Sequence, residues 1–135
     1  LTYIRTTVPH TGLSTNQWSK VDWFDEVTID SRGEFDVATQ KFVAKYSGLY
    51  SFRVRVTFAG DVNDASRLGI RIMINGVEAD VFLNVTTGST ASHTLSGETF
   101  LYLFGGDEVE INYYTTTEDP DHNISYVTFT ATQIA

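Results

Sequence analysis

Within residues 48–58, the stretch from Tyr50 to Phe58 alternates without a break between apolar and polar positions. Tyr50, Phe52, Val54, Val56 and Phe58 fall on one side of a period of two, and Ser51, Arg53, Arg55 and Thr57 on the other. Aromatic and β-branched residues at that spacing predict a strand with one buried face and one wetter face. The rest of the chain is framed by this strand. Just upstream, residues 35–42 supply a turn and a short strand, and Ser47-Gly48 a second turn.

Taken in order, residues 1–8 are Thr-rich and β-prone up to Pro9, and residues 9–20 read as a polar loop around a lone Trp18. Residues 21–29 predict a short strand with Phe24, Val27 and Ile29 inward, and Asp30, Ser31, Arg32 and Gly33 form a turn. Residues 59–67 read as a polar loop. Leu68, Ile70, Ile72 and Ile74 then alternate with Gly69, Arg71, Met73 and Asn75. Asn75-Gly76 is the strongest hairpin signal in the chain, because both residues tolerate positive φ, and the return strand runs over 77–85. Residues 86–97 read as a loop of small residues. Residues 99–104 and 108–114 predict a second hairpin around Gly105, Gly106 and Asp107, with Val109, Ile111 and Tyr113 inward and Glu108, Glu110 and Asn112 outward. An acidic loop, 115–123, leads into a final strand over 125–133. No helical period of useful length occurs. The pattern predicts one all-β domain over residues 1–135, an antiparallel two-sheet β-sandwich.

The order of these features resembles the globular head of the complement C1q family, within the tumour-necrosis-factor-like jelly rolls. The family's Phe, aliphatic and Asn at three-residue steps match Phe24, Val27 and Asp30, with Asp for Asn. Its aromatic-Asp stretch ending in Gly-Lys-Phe matches Phe35 and Asp36 through Lys41 and Phe42, with Gln40 in the Gly position. Its Pro-Gly-Leu-Tyr stretch matches Gly48, Leu49, Tyr50 and Phe52, with Ser47 for Pro, and its Leu-x-Leu and Gly-Asp-x-Val stretches match Leu101, Leu103, Gly106, Asp107 and Val109. Its closing Phe-x-Gly-Phe is similar to Phe129 through Thr132, with both later residues changed. The resemblance implies a jelly roll of C1q/tumour-necrosis-factor type, non-enzymatic and trimeric. Ala44 stands where vertebrate members carry Cys; with Ser47 it suggests a bacterial, archaeal or viral member. Loop 86–97 lacks the acidic residues through which some relatives hold calcium on their three-fold axis.

Charge and composition change this picture only at the margins. Nine Lys plus Arg against 17 Asp plus Glu, a net charge of −8, argue against nucleic acid, which needs a basic face. The charge fits a solubilising surface, cation sites or a salty habitat. No cysteine is present, which rules out disulfides, thiol catalysis and thiolate zinc sites. No apolar run approaches the ~20 residues that would insert in a bilayer, and Leu1 in place of Met points to a fragment or a processed chain. His10, His93 and His122 fall in separate predicted loops, so no catalytic constellation is singled out. Asn84 and Asn123 head glycosylation sequons, which matter only in a eukaryotic secretory host.

Two features carry candidate function. The strand Phe100, Leu101, Tyr102, Leu103, Phe104 is apolar on both faces, whereas a sandwich strand covers one and wets the other. One face fills the core and the other meets something; Phe100, Tyr102 and Phe104 are the candidate subunit interface, with Leu101 and Leu103 the alternative. Secondly, if successive long strands run antiparallel, loops 59–67, 86–97 and 115–124 share the end opposite Ala135. They carry Asp61, Asp64, Glu118, Asp119 and Asp121, candidate ligands for Ca²⁺, which takes six to eight oxygens. With the trimer that the resemblance implies, these features lead to the expectation of an extracellular, cell-surface or virion-exposed homotrimeric head at the end of a stalk or fibre. It would recognise a cell-surface glycan or protein through those loops. The alternatives are a carbohydrate-binding module using Trp18, Trp23, Tyr113 and Tyr114, and a purely structural trimerisation or capping knob.

Overall fold

A computed structural model describes all residues from Leu1 to Ala135. Eleven strands follow in order: β1 (Thr2–Arg5), β2 (Ser19–Lys20), β3 (Glu26–Asp30), β4 (Phe35–Asp36), β5 (Lys41–Val43), β6 (Gly48–Val62), β7 (Arg67–Ile74), β8 (Val77–Val85), β9 (Thr90–Leu103), β10 (Glu108–Thr115) and β11 (Asn123–Gln133). They form two antiparallel sheets, ordered β3-β1-β11-β6-β9 (sheet A) and β4-β5-β10-β7-β8 (sheet B), with β2 on the β10 edge beyond β5. There is no helix.

The 15-residue β6 lies between β11 and β9, pairing with β9 from Gly48 to Val62 and with β11 from Tyr50 to Ala59. As the alternation requires, Tyr50, Phe52, Val54, Val56 and Phe58 are all fully buried. Leu68, Ile70, Ile72, Val109, Ile111 and Phe42 meet them from sheet B. Phe42 presents its ring edge-on to Tyr50 at 5.9 Å, to Phe52 at 5.9 Å and to Phe129 at 6.1 Å, the geometry that aromatic quadrupoles favour. Gln40, in the motif's Gly position, takes φ 56°. Its amide offsets that strain by accepting from Phe24 N at 2.7 Å and donating to Phe24 O at 3.1 Å.

Several sequence expectations are corrected. The strand expected over 21–29 starts only at Glu26 and runs to Asp30, and Val27 and Ile29 are exposed because β3 is a sheet edge with a register shift against β1. Residues 59–67 are not all loop: β6 continues to Val62, through positive φ at Gly60 and Asp61. Residues 90–97, expected as loop, extend β9 along the edge of sheet A; their Ser and Thr residues face water. β9 and β10 do not pair as a hairpin: the turn at Gly105 and Gly106 crosses from sheet A to sheet B. Asn112, expected outside, is buried and accepts from Arg71 Nε at 2.8 Å. Ile74 is only partly buried, and Met73 is buried instead, beside a register shift between β7 and β8.

On the seam between the edge strands β8 and β9, the Phe82 ring lies on Gly97, where a Cβ would stand 2.4 Å from it. At the other end of the sandwich His122, expected in an open loop, is only 3% exposed and stacks on Phe58. Its Nδ1–H donates to the Ala59 carbonyl at 3.0 Å, so Nε2 accepts from the Thr115 hydroxyl at 3.0 Å. Burial holds its pKa below the ordinary 6.5.

Two predictions follow from this packing. Phe52→Ala removes the ring between Tyr50 and Phe129 and should cost roughly 3–5 kcal/mol in chemical denaturation; a wild-type midpoint would contradict the packing. Because the folded state lowers the His122 pKa, its unfolded state binds more protons, and stability should fall as pH drops below about 6.5. His122→Gln should flatten that stretch of the pH–stability curve.

Candidate functional site

The two ends of the sandwich differ in kind. At the base, where Leu49 accepts from Ile134 N and donates to the terminal Ala135 carbonyl, β9 resolves its two-faced pattern. Leu103 is buried and Leu101 packs on the core, while Phe100, Tyr102 and Phe104 project from sheet A at 58%, 59% and 65% exposure. The strand's parity therefore assigns the outward face to the three aromatics. Tyr102 and Phe104 pack edge-on at 5.3 Å. Tyr102 is in register with Leu49, and the half-exposed Ile134 is bonded to the far side of Leu49, so the apolar surface continues past β9. Burying the remainder of each aromatic would contribute roughly 1–2 kcal/mol.

At the opposite end, the apex, residues 63–66, 86–89 and 116–122 converge with residues 11–17. Buried hydroxyls tie these segments together. Thr86 donates to the Asn63 carbonyl at 2.6 Å and accepts from Ser66 N at 3.0 Å. Ser66 and Thr117 share a hydrogen bond between their hydroxyls, and Thr117 accepts from Asn63 N at 3.4 Å. These small polar residues satisfy loop backbone that would otherwise be buried unpaired. Gly60, at φ 65°, lets the Asp121 carbonyl approach so closely that a Cβ would stand 1.8 Å from its oxygen. The shared end expected from strand parity is thus present, with loop 86–97 shortened to its first four residues.

Among the acidic candidates, the structure brings together Asp61, Asp119 and Asp121, with carboxylate oxygens within 4.8 Å of one another. It does not bring in the other two. Asp64 accepts from Gly88 N at 2.6 Å, fixing the neighbouring loop; Glu118 accepts from Asn16 Nδ2 at 3.1 Å. Beside the cluster, a polar cleft of about 280 Å³ opens between Leu13 and Thr15 on one side and Glu118, Asp119 and Pro120 on the other. The residues that sequence reasoning missed here are Ser66, Thr86 and Thr117. Their signal was the density of Ser and Thr, which reads equally well as plain surface.

The aromatics that could form a flat carbohydrate platform are not together. Tyr113 is buried and Trp23 is packed against the core, stacked on His10 at 3.8 Å. Trp18 and Tyr114 remain as a pair, tilted by 47°. His93 lies within β9, with Nε2 2.8 Å from Asn84 Nδ2.

Residues 6–131 match the C1q domain family. Among solved structures, the globular domain of zebrafish complement 1qA protein superimposes with a TM-score of 0.69 at 22% identity, over 100% of this chain and 98% of that one. Eiger TNF from S. frugiperda gives a TM-score of 0.65 at 12% identity, over 99% of this chain and 91% of that one. No curated protein aligns with the sequence at a significant level. The two structures speak for the fold, an all-β C1q/TNF jelly roll, and the family match spans nearly the whole chain. This chain belongs to the C1q domain family.

Proposed function

We propose that the domain is a non-enzymatic, homotrimeric binding head at the end of a stalk or fibre, of bacterial, archaeal or viral origin, exposed on a cell or virion surface. C1q and TNF-like domains are often trimeric ligand-binding heads. The observation that carries the reading here is the row of outward aromatics, Phe100, Tyr102 and Phe104, at one end of a sandwich whose anchored loops crowd the other. A patch of large apolar side chains on an acidic chain is a surface awaiting a partner. A three-fold arrangement of identical chains covers it on every copy and closes. The apex, with its polar cleft and acidic rim, then faces outward to a glycan or protein ligand. Ala44 and Ser47, where vertebrate members carry Cys and Pro, support the origin. A structural knob would share the base and bind nothing at the apex.

Light scattering at micromolar concentration should give three times the 15.1 kDa chain mass. Tyr102→Glu should yield a folded monomer with unchanged far-ultraviolet circular dichroism. A wild-type monomer that persists across concentrations would overturn the reading.

We further propose that Asp61, Asp119 and Asp121 hold Ca²⁺ at the apex, with backbone carbonyls and water completing its oxygen shell. Like charges at that spacing repel, and a cation that relieves the repulsion binds the native state alone. The melting temperature should then rise in millimolar Ca²⁺, less in Mg²⁺, and the rise should vanish in Asp119→Asn. Identical melting curves in Ca²⁺ and in chelator would leave the cluster as solvated surface.

A further inference from the structure

The solvent face of sheet B carries a recess of about 440 Å³ lined by Trp18, Arg67, Leu68, Leu83, Val85 and Tyr114. Beneath two of its walls lies Gly69, in register with Tyr114 on β10 and with Leu83 on β8. A Cβ at Gly69 would stand 2.8 Å from the Trp18 ring and 2.9 Å from Leu83 Cδ2. Gly69 is not among the positive-φ residues, so the path of the chain does not demand glycine there, and glycine weakens a strand interior. What its missing side chain allows is the close seating of Trp18 and Leu83 on the strand, which sets two walls of the recess.

The walls are held in place. The Arg71 guanidinium sits 4.7 Å from the centre of the Trp18 ring, while Arg71 itself is fixed by Asn112 at 2.8 Å and Glu78 at 3.6 Å. The Tyr114 ring packs 5.3 Å from Trp18. On the open side Leu83 and Val85 are 67% and 56% exposed. At the rim, the backbone of Arg67 is anchored to Thr116 through its N–H and its carbonyl. Its guanidinium forms none of the six ion pairs in the protein and no side-chain hydrogen bond. Lys45 and Arg55 are likewise without an ion pair, but of the three only Arg67 lines this recess.

We propose that this recess binds a small amphiphilic carboxylate, with a single ring or short alkyl body on Trp18, Leu83, Val85 and Tyr114 and its carboxylate on Arg67. The lining is apolar but for one cation, which matches one apolar body and one negative charge. A polyhydroxylated sugar would set its hydroxyls against Leu83 and Val85 unpaired. The volume lies toward the small end of ligand pockets, room for about one ring. The recess is on the sheet opposite the exposed aromatics of β9, so it stands or falls apart from the trimer.

The test is a titration of the intact domain with 4-phenylbutyrate, following the indole N–H resonances by nuclear magnetic resonance. Trp18→Phe assigns the Trp18 signal, and Trp23, stacked on His10, is the internal control. Trp18 should shift saturably with a dissociation constant of about 1 mM or tighter, while Trp23 stays still. The charge-reversed probe 4-phenylbutylamine should bind at least about tenfold more weakly. Arg67→Gln, a change at an exposed position that leaves the core untouched, should remove the preference for the acid over the amine. Leu83→Asn, which removes apolar contact without adding charge, should weaken both probes. A silent Trp18 at about 10 mM probe overturns the proposal, whether the recess is inert or covered by a second copy. Equal affinity for acid and amine, or a preference that survives Arg67→Gln, overturns it as well.

Discussion

The packing of one face of β6 against sheet B governs the rest of the molecule. Five consecutive inward positions, Tyr50 to Phe58, are sealed between the sheets, and a strand with period two has no freedom left once that face is committed. Its hydrogen-bonding edges then dictate the registers of β9 and β11, and through them which side chains of those strands face out. The outward placement of Phe100, Tyr102 and Phe104 is therefore set by Phe52 as much as by β9 itself. Slipping β9 by one residue would bury the three aromatics and expose Leu101 and Leu103. The same strand, running from the base to Asp61, fixes the distance between the two ends. The aromatic patch and the apical carboxylates are consequences of a single packed row.

Where the sequence pattern was strong, it specified the structure closely. β6, the Asn75-Gly76 hairpin and the inward row Val109, Ile111 and Tyr113 could be read directly, because each pairs a clear period with large apolar residues. The failures share a different physical origin. Residues 90–97 form a strand at a sheet edge with one face in water, where Ser and Thr serve as well as they do in a loop. Turn chemistry at Gly105 and Gly106 reports only that the chain reverses; whether it returns to the same sheet or crosses to the facing one is decided by tertiary packing. Val27 and Ile29 carry β-branched side chains that suit a strand backbone on either face, so burial could not be read from their identity.

The candidate sites were legible in the same uneven way. The aromatics of β9 announced themselves by violating alternation, and counting strand directions brought the apical loops together. What the count could not supply was which carboxylates meet. Asp64 and Glu118 are equally acidic in sequence, yet Asp64 turns to Gly88 and Glu118 to Asn16, away from the point where Asp61, Asp119 and Asp121 meet. His122 was hidden for a related reason. A histidine beside three acids reads as surface, but its two ring nitrogens satisfy Ala59 and Thr115 and its ring covers Phe58, which makes it part of the core.

The contact of Phe82 with Gly97 sets how the sandwich can open. β8 and β9 border each other without a backbone ladder, since they belong to different sheets, and one aromatic ring spans the gap between them. Parting the sheets at this seam forfeits the partial burial of that ring, about 1–2 kcal/mol, whereas peeling β6 from either neighbour would unzip a long run of hydrogen bonds. The seam is accordingly a place where the sandwich can part without breaking a ladder. Backbone amides that exchange by local fluctuation should cluster beside it, while those of β6 wait for global unfolding.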